Sequence, residues 1–192
     1  QGADAFMGDS TQWSDGDTDG FGDNPPPATN GDNCPAINGT SSADRNGCVD
    51  SDGDGYSNPD GSWTVSQGAD AFSSDSSQWV DQDGDGYGDN ATGTNPDACP
   101  SLFGNSTTVG ALGCSDLDGD GYADFVDDFP SIKSQWIDSD GDGYGDNPTG
   151  YHADGCITVV GTSTVDRKGC PDTDGDGTSD ADSSWTVTNG AD

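Results

Sequence analysis

Six stretches of this chain set aspartates at alternate positions of a tight, glycine-rich run. In DQDGDGYGDN, residues 81–90, the carboxylates of Asp81, Asp83, Asp85 and Asp89 fall within nine residues. Two unit charges about 4 Å apart repel by roughly 1 kcal/mol in water, and by about 4 kcal/mol at an effective dielectric of 20. The nearest Lys or Arg in sequence, Arg45 and Lys133, are far away. Such a stretch either stays open and solvated or closes around something positive.

The rest of the composition narrows the choice. All 37 acidic residues are Asp, and the net charge is −33. Asp favours turns, caps and tight loops over helix interiors. With 31 Gly and 10 Pro, little helix is expected. Leu, Ile, Val and Phe together number 22 of 192 residues, too few for an apolar core to order the chain. Metals and disulfides are the usual substitutes. No run of 18 apolar residues predicts a membrane span. The negative charge excludes the basic footprint that nucleic-acid binding requires.

Two modules alternate along the chain. The first reads WSDGDTDGFGDN at 13–24, WVDQDGDGYGDN at 79–90 and WIDSDGDGYGDN at 136–147. The second reads CVDSDGDGYSNPD at 48–60, CSDLDGDGYADFVDD at 114–128 and CPDTDGDGTSDAD at 170–182. The segment SWTVSQGADAF at 62–72 has no counterpart in the middle of the chain, returns as SWTVTNGAD at 184–192, and overlaps the opening QGADAF. Repeats are therefore expected at 1–66, 67–123 and 124–188, with 189–192 beginning another. No secretion leader is visible, and Gln1 opens inside a repeat, so the chain reads as a segment of a longer periodic array.

Each module carries Asp at positions 1, 3 and 5, Gly at 6 and usually an aromatic at 7. Alternate side chains of a tight loop converge on one ion, Gly permits the sharp turn, and the carbonyl at 7 adds an oxygen. All-oxygen donors fit calcium, which accepts six to eight ligands in irregular geometry; they disfavour zinc or copper. Isolated DG turns in a solvated linker would explain one such loop, but not six in two phased registers.

These loops, with their Cys segments, resemble thrombospondin type 3 repeats, and GTSTVDRKGCPDTDGDG at 161–177 is similar to the forms found in microbial surface arrays. The resemblance covers most of the chain. It implies an elongated tandem calcium-binding repeat, mostly irregular and loop-rich with short β segments, held by metal ions and local disulfides. The ligands it implies in the Trp modules are Asp15, Asp17, Asp19 and Asp23; Asp81, Asp83, Asp85 and Asp89; and Asp138, Asp140, Asp142 and Asp146. In the Cys modules they are Asp50, Asp52, Asp54 and Asn58; Asp116, Asp118, Asp120, Asp124 and Asp127; and Asp172, Asp174, Asp176 and Asp180. About six or more Ca2+ ions are expected.

An EF-hand closes its loop with Glu at position 12. Here that position holds Pro26, Thr92 or Thr149 in the Trp modules, and only Asp127 is acidic in the Cys modules. Ligands must then be borrowed. The candidates are Asp60, Asp182 and the aligned set Asp4, Asp70, Asp127 and Asp192, followed by Asp9 and Asp75. Borrowing would couple the sites into a ladder of ions. EF-hand or dockerin pairing also needs flanking amphipathic helices, which the sequence lacks.

The six cysteines fall as three local pairs, Cys34 with Cys48, Cys99 with Cys114, and Cys156 with Cys170, without a CxxC pattern. Local disulfides in an oxidising compartment are expected, although six cysteines allow 15 connectivities. The runs between them, such as CITVVGTSTV at 156–165, are the only β-like segments. Trp13, Trp79 and Trp136, with Phe6, Phe72 and Phe129 seven residues earlier, are expected to form small local cores; a sugar platform is the sharper alternative. Asn38, Asn90 and Asn105 are N-glycosylation sequons.

The expected function is structural: an extracellular or cell-surface stalk, adhesin or self-assembling fibre whose partners are copies of itself, further repeats, glycans or other surface proteins. Alternatives are a calcium-buffering or mineral-binding protein and a passive spacer for another domain. Only one His is present and no nucleophile–base pair stands out, so an enzyme is not expected.

Overall fold

The computed structural model describes residues 3–25 and 27–192. Gln1 and Gly2, the start of the first expected repeat, and Pro26, position 12 of the first Trp loop, lie outside the described residues. Two compact units are present, Gln1–Ser101 and Leu102–Asp192.

Among the described residues the only helical element is a 3-10 turn, Val65–Gln67. Among the described residues, main-chain pairing of β type is limited to three isolated parallel bridges, Gly22 with Gly31, Gly88 with Pro96 and Gly145 with Ala153. The short β segments expected between the cysteines do not form. Over 156–165 the amides of Thr162 and Ser163 both donate to the Cys170 carbonyl, and those of Thr164 and Val165 to Gly177. These bonds converge on single carbonyls and build no ladder, and Val159, Val160 and Val165 stay exposed. Among the described residues no helix is long and apolar enough to cross a membrane.

The loops fold on their own aspartates. In loop 81–89, Asp81 accepts from the amides of Gly84 (2.7 Å) and Gly86 (3.0 Å) through its two carboxylate oxygens. Asp83 accepts from Asp85 N–H, and Asp85 from Tyr87 N–H. Asp89 returns to the start, its amide donating to the Val80 carbonyl and its side chain accepting from Gln82 N–H. The first Asp makes the same two bonds in loops 15–23, 50–58, 116–124, 138–146 and 172–180. This winding holds positions 4 and 6 at positive φ, for example 83° at Gly84 and 97° at Gly86. Only Gly adopts that conformation without steric cost. Loop 15–23 departs from the pattern with Thr18 at φ 68°.

The expected apolar cores are replaced by amides. The buried apolar residues are all Cys or Ala, whereas Gln12, Gln78 and Gln135 are only 1–2 % exposed. Gln78 donates to the carbonyls of Asn90 (3.0 Å) and Thr94 (3.2 Å) and accepts from Asn90 N–H (2.9 Å). Gln12 and Gln135 make the equivalent bonds. Gly88 must lack a side chain, because a Cβ there would lie 2.2 Å from the Gln78 amide oxygen. Trp79 and Trp136 stack on Tyr56 and Tyr122, whereas Trp13 is 58 % exposed.

Disulfides join Cys34 to Cys48 and Cys156 to Cys170. Cys99 and Cys114 are disulfide-bonded as well, and no described cysteine is free.

Candidate metal centres

Five loops each bring three carboxylates to one point. One oxygen from each member of Asp15/Asp17/Asp19, Asp50/Asp52/Asp54, Asp81/Asp83/Asp85, Asp116/Asp118/Asp120 and Asp138/Asp140/Asp142 lies within 4.8 Å of the other two in its group, and one more such group is present. The loop bonds described above accompany this convergence: the first Asp of each loop is fixed through both oxygens to the loop's own N–H groups. Loop 172–180 makes the same bonds through Asp172, Asp174 and Asp176. The position-7 carbonyls of Phe21, Tyr56, Tyr87, Tyr122, Tyr144 and Thr178 accept no main-chain hydrogen bond among the described residues.

The ninth residue braces each loop. Asp23, Asn58, Asp124, Asp146 and Asp180 accept from the N–H of the second loop residue, as Asp89 does. Asp124, Asp146 and Asp180 also accept a hydroxyl from Ser115, Ser139 and Thr173.

A further carboxylate from outside the loop faces each triad closely enough for their charges to repel. In the Trp modules it comes from Asp32, Asp97 and Asp154, which the sequence reading did not select. The amide of Asp97 donates to the Gly88 carbonyl (2.9 Å), and Asp32 and Asp154 bond Gly22 and Gly145 in the same way. One carboxylate oxygen of each accepts the N–H of Cys34, Cys99 or Cys156. The other oxygen is buried without a partner. A constant Asp-x-Cys spacing at 32–34, 97–99 and 154–156 was the available signal.

In the Cys modules the closing acids belong to the aligned set named above. Asp70 is 1 % exposed, is anchored by its amide to Ser57, accepts from Phe72 N–H, and keeps one oxygen buried and unpaired. Asp127 is likewise buried and accepts from Phe129 N–H; the Asp192 amide donates to Ser179. Burial, then repulsion from the facing triads, raises the pKa values of Asp32, Asp97 and Asp127 above the usual carboxylate range. The same causes push Asp70 and Asp154 up to about 6. For Asp192 repulsion from Asp174 is the largest cause of its rise.

Five borrowed candidates are placed elsewhere. Asp60 and Asp182 form ion pairs with Arg45 (2.8 Å) and Arg167 (2.9 Å), and accept from Ser62 and Trp63 or from Ser184 and Trp185. The guanidinium groups also lie over Trp63 and Trp185. Local bonds and a fixed cation satisfy these carboxylates, which removes the reason for a metal there. Asp9 and Asp75 cap their own turns through Thr11 and Ser77. Asp4 is exposed and accepts from Phe6 N–H.

Buried polar atoms without partners are rare in native proteins and call for a bound water or ion. Here such oxygens occur on Asp17, Asp32, Asp52, Asp54, Asp70, Asp83, Asp97, Asp118, Asp120, Asp140 and Asp154. The donors are carboxylates, with carbonyls beside them, a set suited to a hard cation. The triads fit a metal ion on these grounds.

Of the sequons, Asn90 is held internally: its amide donates to the Ser77 carbonyl, as Asn24 and Asn147 donate to Thr11 and Ser134. The Asn38 amide donates to the Asp17 carbonyl, and Asn105 is exposed. A scan of protein-family models and a search of curated proteins each return no match to this chain.

Proposed function

We propose that this chain is an extracellular structural protein that binds calcium in its Asp loops and is stiffened by it into a stalk, adhesin or self-assembling fibre. The buried, partnerless carboxylate oxygens of Asp32, Asp70, Asp97 and Asp154 carry the reading. Each lies against three further carboxylates, a grouping that repels itself until a multivalent cation enters. Calcium suits the crowded, irregular oxygen set better than magnesium, which demands near-octahedral geometry and keeps its waters. One ion per loop, six in all, would lower the net charge from −33 to −21.

The sequence repeats at 1–66, 67–123 and 124–188 would then form a ladder of ions along a thrombospondin type 3-like chain. Closing acids locked by main-chain bonds to their loops favour ions that serve as fixed parts over a freely exchanging buffer. The disulfides support an oxidising, extracellular setting. The function is one of shape and cohesion, not catalysis, and the partners are further copies or repeats.

Light scattering on the native protein, before and after a calcium chelator, tests the reading. Large particles should collapse to small, expanded chains. A calcium-loaded monomer that only expands on chelation would leave the stalk and remove the fibre. No change in mass or radius would remove calcium from the account.

A further inference from the structure

Only four cationic side chains balance the acids of this chain. Arg45 and Arg167 are held by Asp60 and Asp182, and Lys168 donates to the Thr164 carbonyl. Lys133 is different: its ammonium donates to the carbonyl of Gly119, the fourth residue of loop 116–124. Gly119 lies between Asp118 and Asp120 in the chain, which sets the ammonium beside the triad. Beside the equivalent loop, 50–58, stands instead the carboxylate of Asp44, which accepts from the amide and hydroxyl of Ser57, the eighth residue of that loop. One Cys loop thus has an added anion beside its triad and the other an added cation.

We propose that Lys133 is a tethered cation that weakens divalent-ion binding at loop 116–124 and sets that site apart from loop 50–58. The inference rests on the calcium reading above. Lys133 does not replace the ion, because one oxygen each of Asp118 and Asp120 stays buried without a partner. Its ammonium sits instead at the Gly119 carbonyl and repels the incoming charge. The residue is peculiar to this site: in F-P-S-I-K-S-Q-W at 129–136 it stands where the matching stretches 6–13 and 72–79 have Ser10 and Ser76. A unit charge within about 10 Å of a divalent ion at a solvated surface changes its affinity about five- to tenfold. Because Lys133 is exposed, salt must screen the effect.

Every loop carries its own reporter, since the amide of its sixth residue donates to the first Asp; in the two compared loops these are Gly55 to Asp50 and Gly121 to Asp116. The experiment is a calcium titration of the chelated, 15N-labelled full chain, followed at these glycine amides by NMR. Gly121 should reach its midpoint at about five- to tenfold more calcium than Gly55, and the gap should narrow in 0.5 M KCl. In Lys133→Ser and Lys133→Gln the Gly121 midpoint should fall several-fold toward that of Gly55 while the other glycines stay in place. Lys133→Arg should behave as the native chain. Equal midpoints in the native chain, or a Gly121 midpoint unmoved by both neutral variants, overturn the proposal while leaving calcium binding intact. If no glycine amide responds to calcium, the reading on which the proposal rests falls with it.

Discussion

Trp79 lies flat on Tyr56, with 5.3 Å between ring centroids and 7° between ring planes. The contact ties position 7 of loop 50–58 to the residue that leads into loop 81–89. Tyr122 and Trp136 make the same contact, at 5.4 Å and 9°. Stacked pairs contribute about 0.5–1.5 kcal/mol beyond their buried area. Tyr56→Ala should therefore lower stability by about 1 kcal/mol or more and remove part of the aromatic circular-dichroism signal. An unchanged denaturation midpoint would show that the stack is decorative.

Thr18 stands where the other five loops have Gly, at a φ of 68°. A β-branched residue in the left-handed region is strained. Thr18→Gly should stabilise the calcium-loaded chain by up to about 1 kcal/mol, since the relief of strain exceeds the added freedom of the unfolded backbone. Urea unfolding in saturating calcium measures it; destabilisation would mean that the Thr hydroxyl contributes more than the strain costs.

Asp97 is held beside loop 81–89 by a main-chain bond to Gly88 and keeps one oxygen buried without a partner. Asp97→Asn keeps the shape and removes one negative charge from the site. Calcium affinity at loop 81–89 should fall about tenfold or more, measured at the Gly86 amide, with loop 15–23 unaffected. Equal affinity in the variant would place Asp97 outside the coordination.

The pH response should reverse when calcium is removed. In the chelated chain Asp70 and Asp154 titrate near 6 because burial and neighbouring carboxylates disfavour their charged forms. A folded-state value raised above the unfolded one gives stability that is present in acid and lost as pH rises through about 6. Chelated protein should thus melt at a higher temperature near pH 4 than at pH 7. With calcium bound, protons compete with the ion, and acid should destabilise. Melting curves at both pH values, with and without chelator, decide the sign.

The loops were legible in the sequence because their cause is local: alternate Asp side chains bonding N–H groups two to five residues on. Asp50, Asp81, Asp116 and their companions could be placed by spacing alone. Asp32, Asp97 and Asp154 could not, because isolated parallel bridges bring them in and such bridges leave no alternating pattern. Asp60 and Asp182 were misplaced because nothing in the spacing shows that Arg45 and Arg167 fold back to meet them. Gln12, Gln78 and Gln135 were overlooked as a core because hydropathy expects apolar residues inside, and these amides are buried only by virtue of carbonyls and N–H groups aimed at them.

That amide interior has a thermal consequence. Exposing apolar surface raises the heat capacity of an unfolding chain and exposing polar surface lowers it, with a net of about 12–15 cal/mol/K per residue in ordinary domains. A protein that buries Gln, Ser, Cys and Ala in place of Leu, Ile and Phe should fall well below that figure. Its curve of stability against temperature is then broad and shallow, with little weakening in the cold. On the proposed reading, what governs whether such a chain holds together is the calcium activity of the surrounding water far more than its warmth.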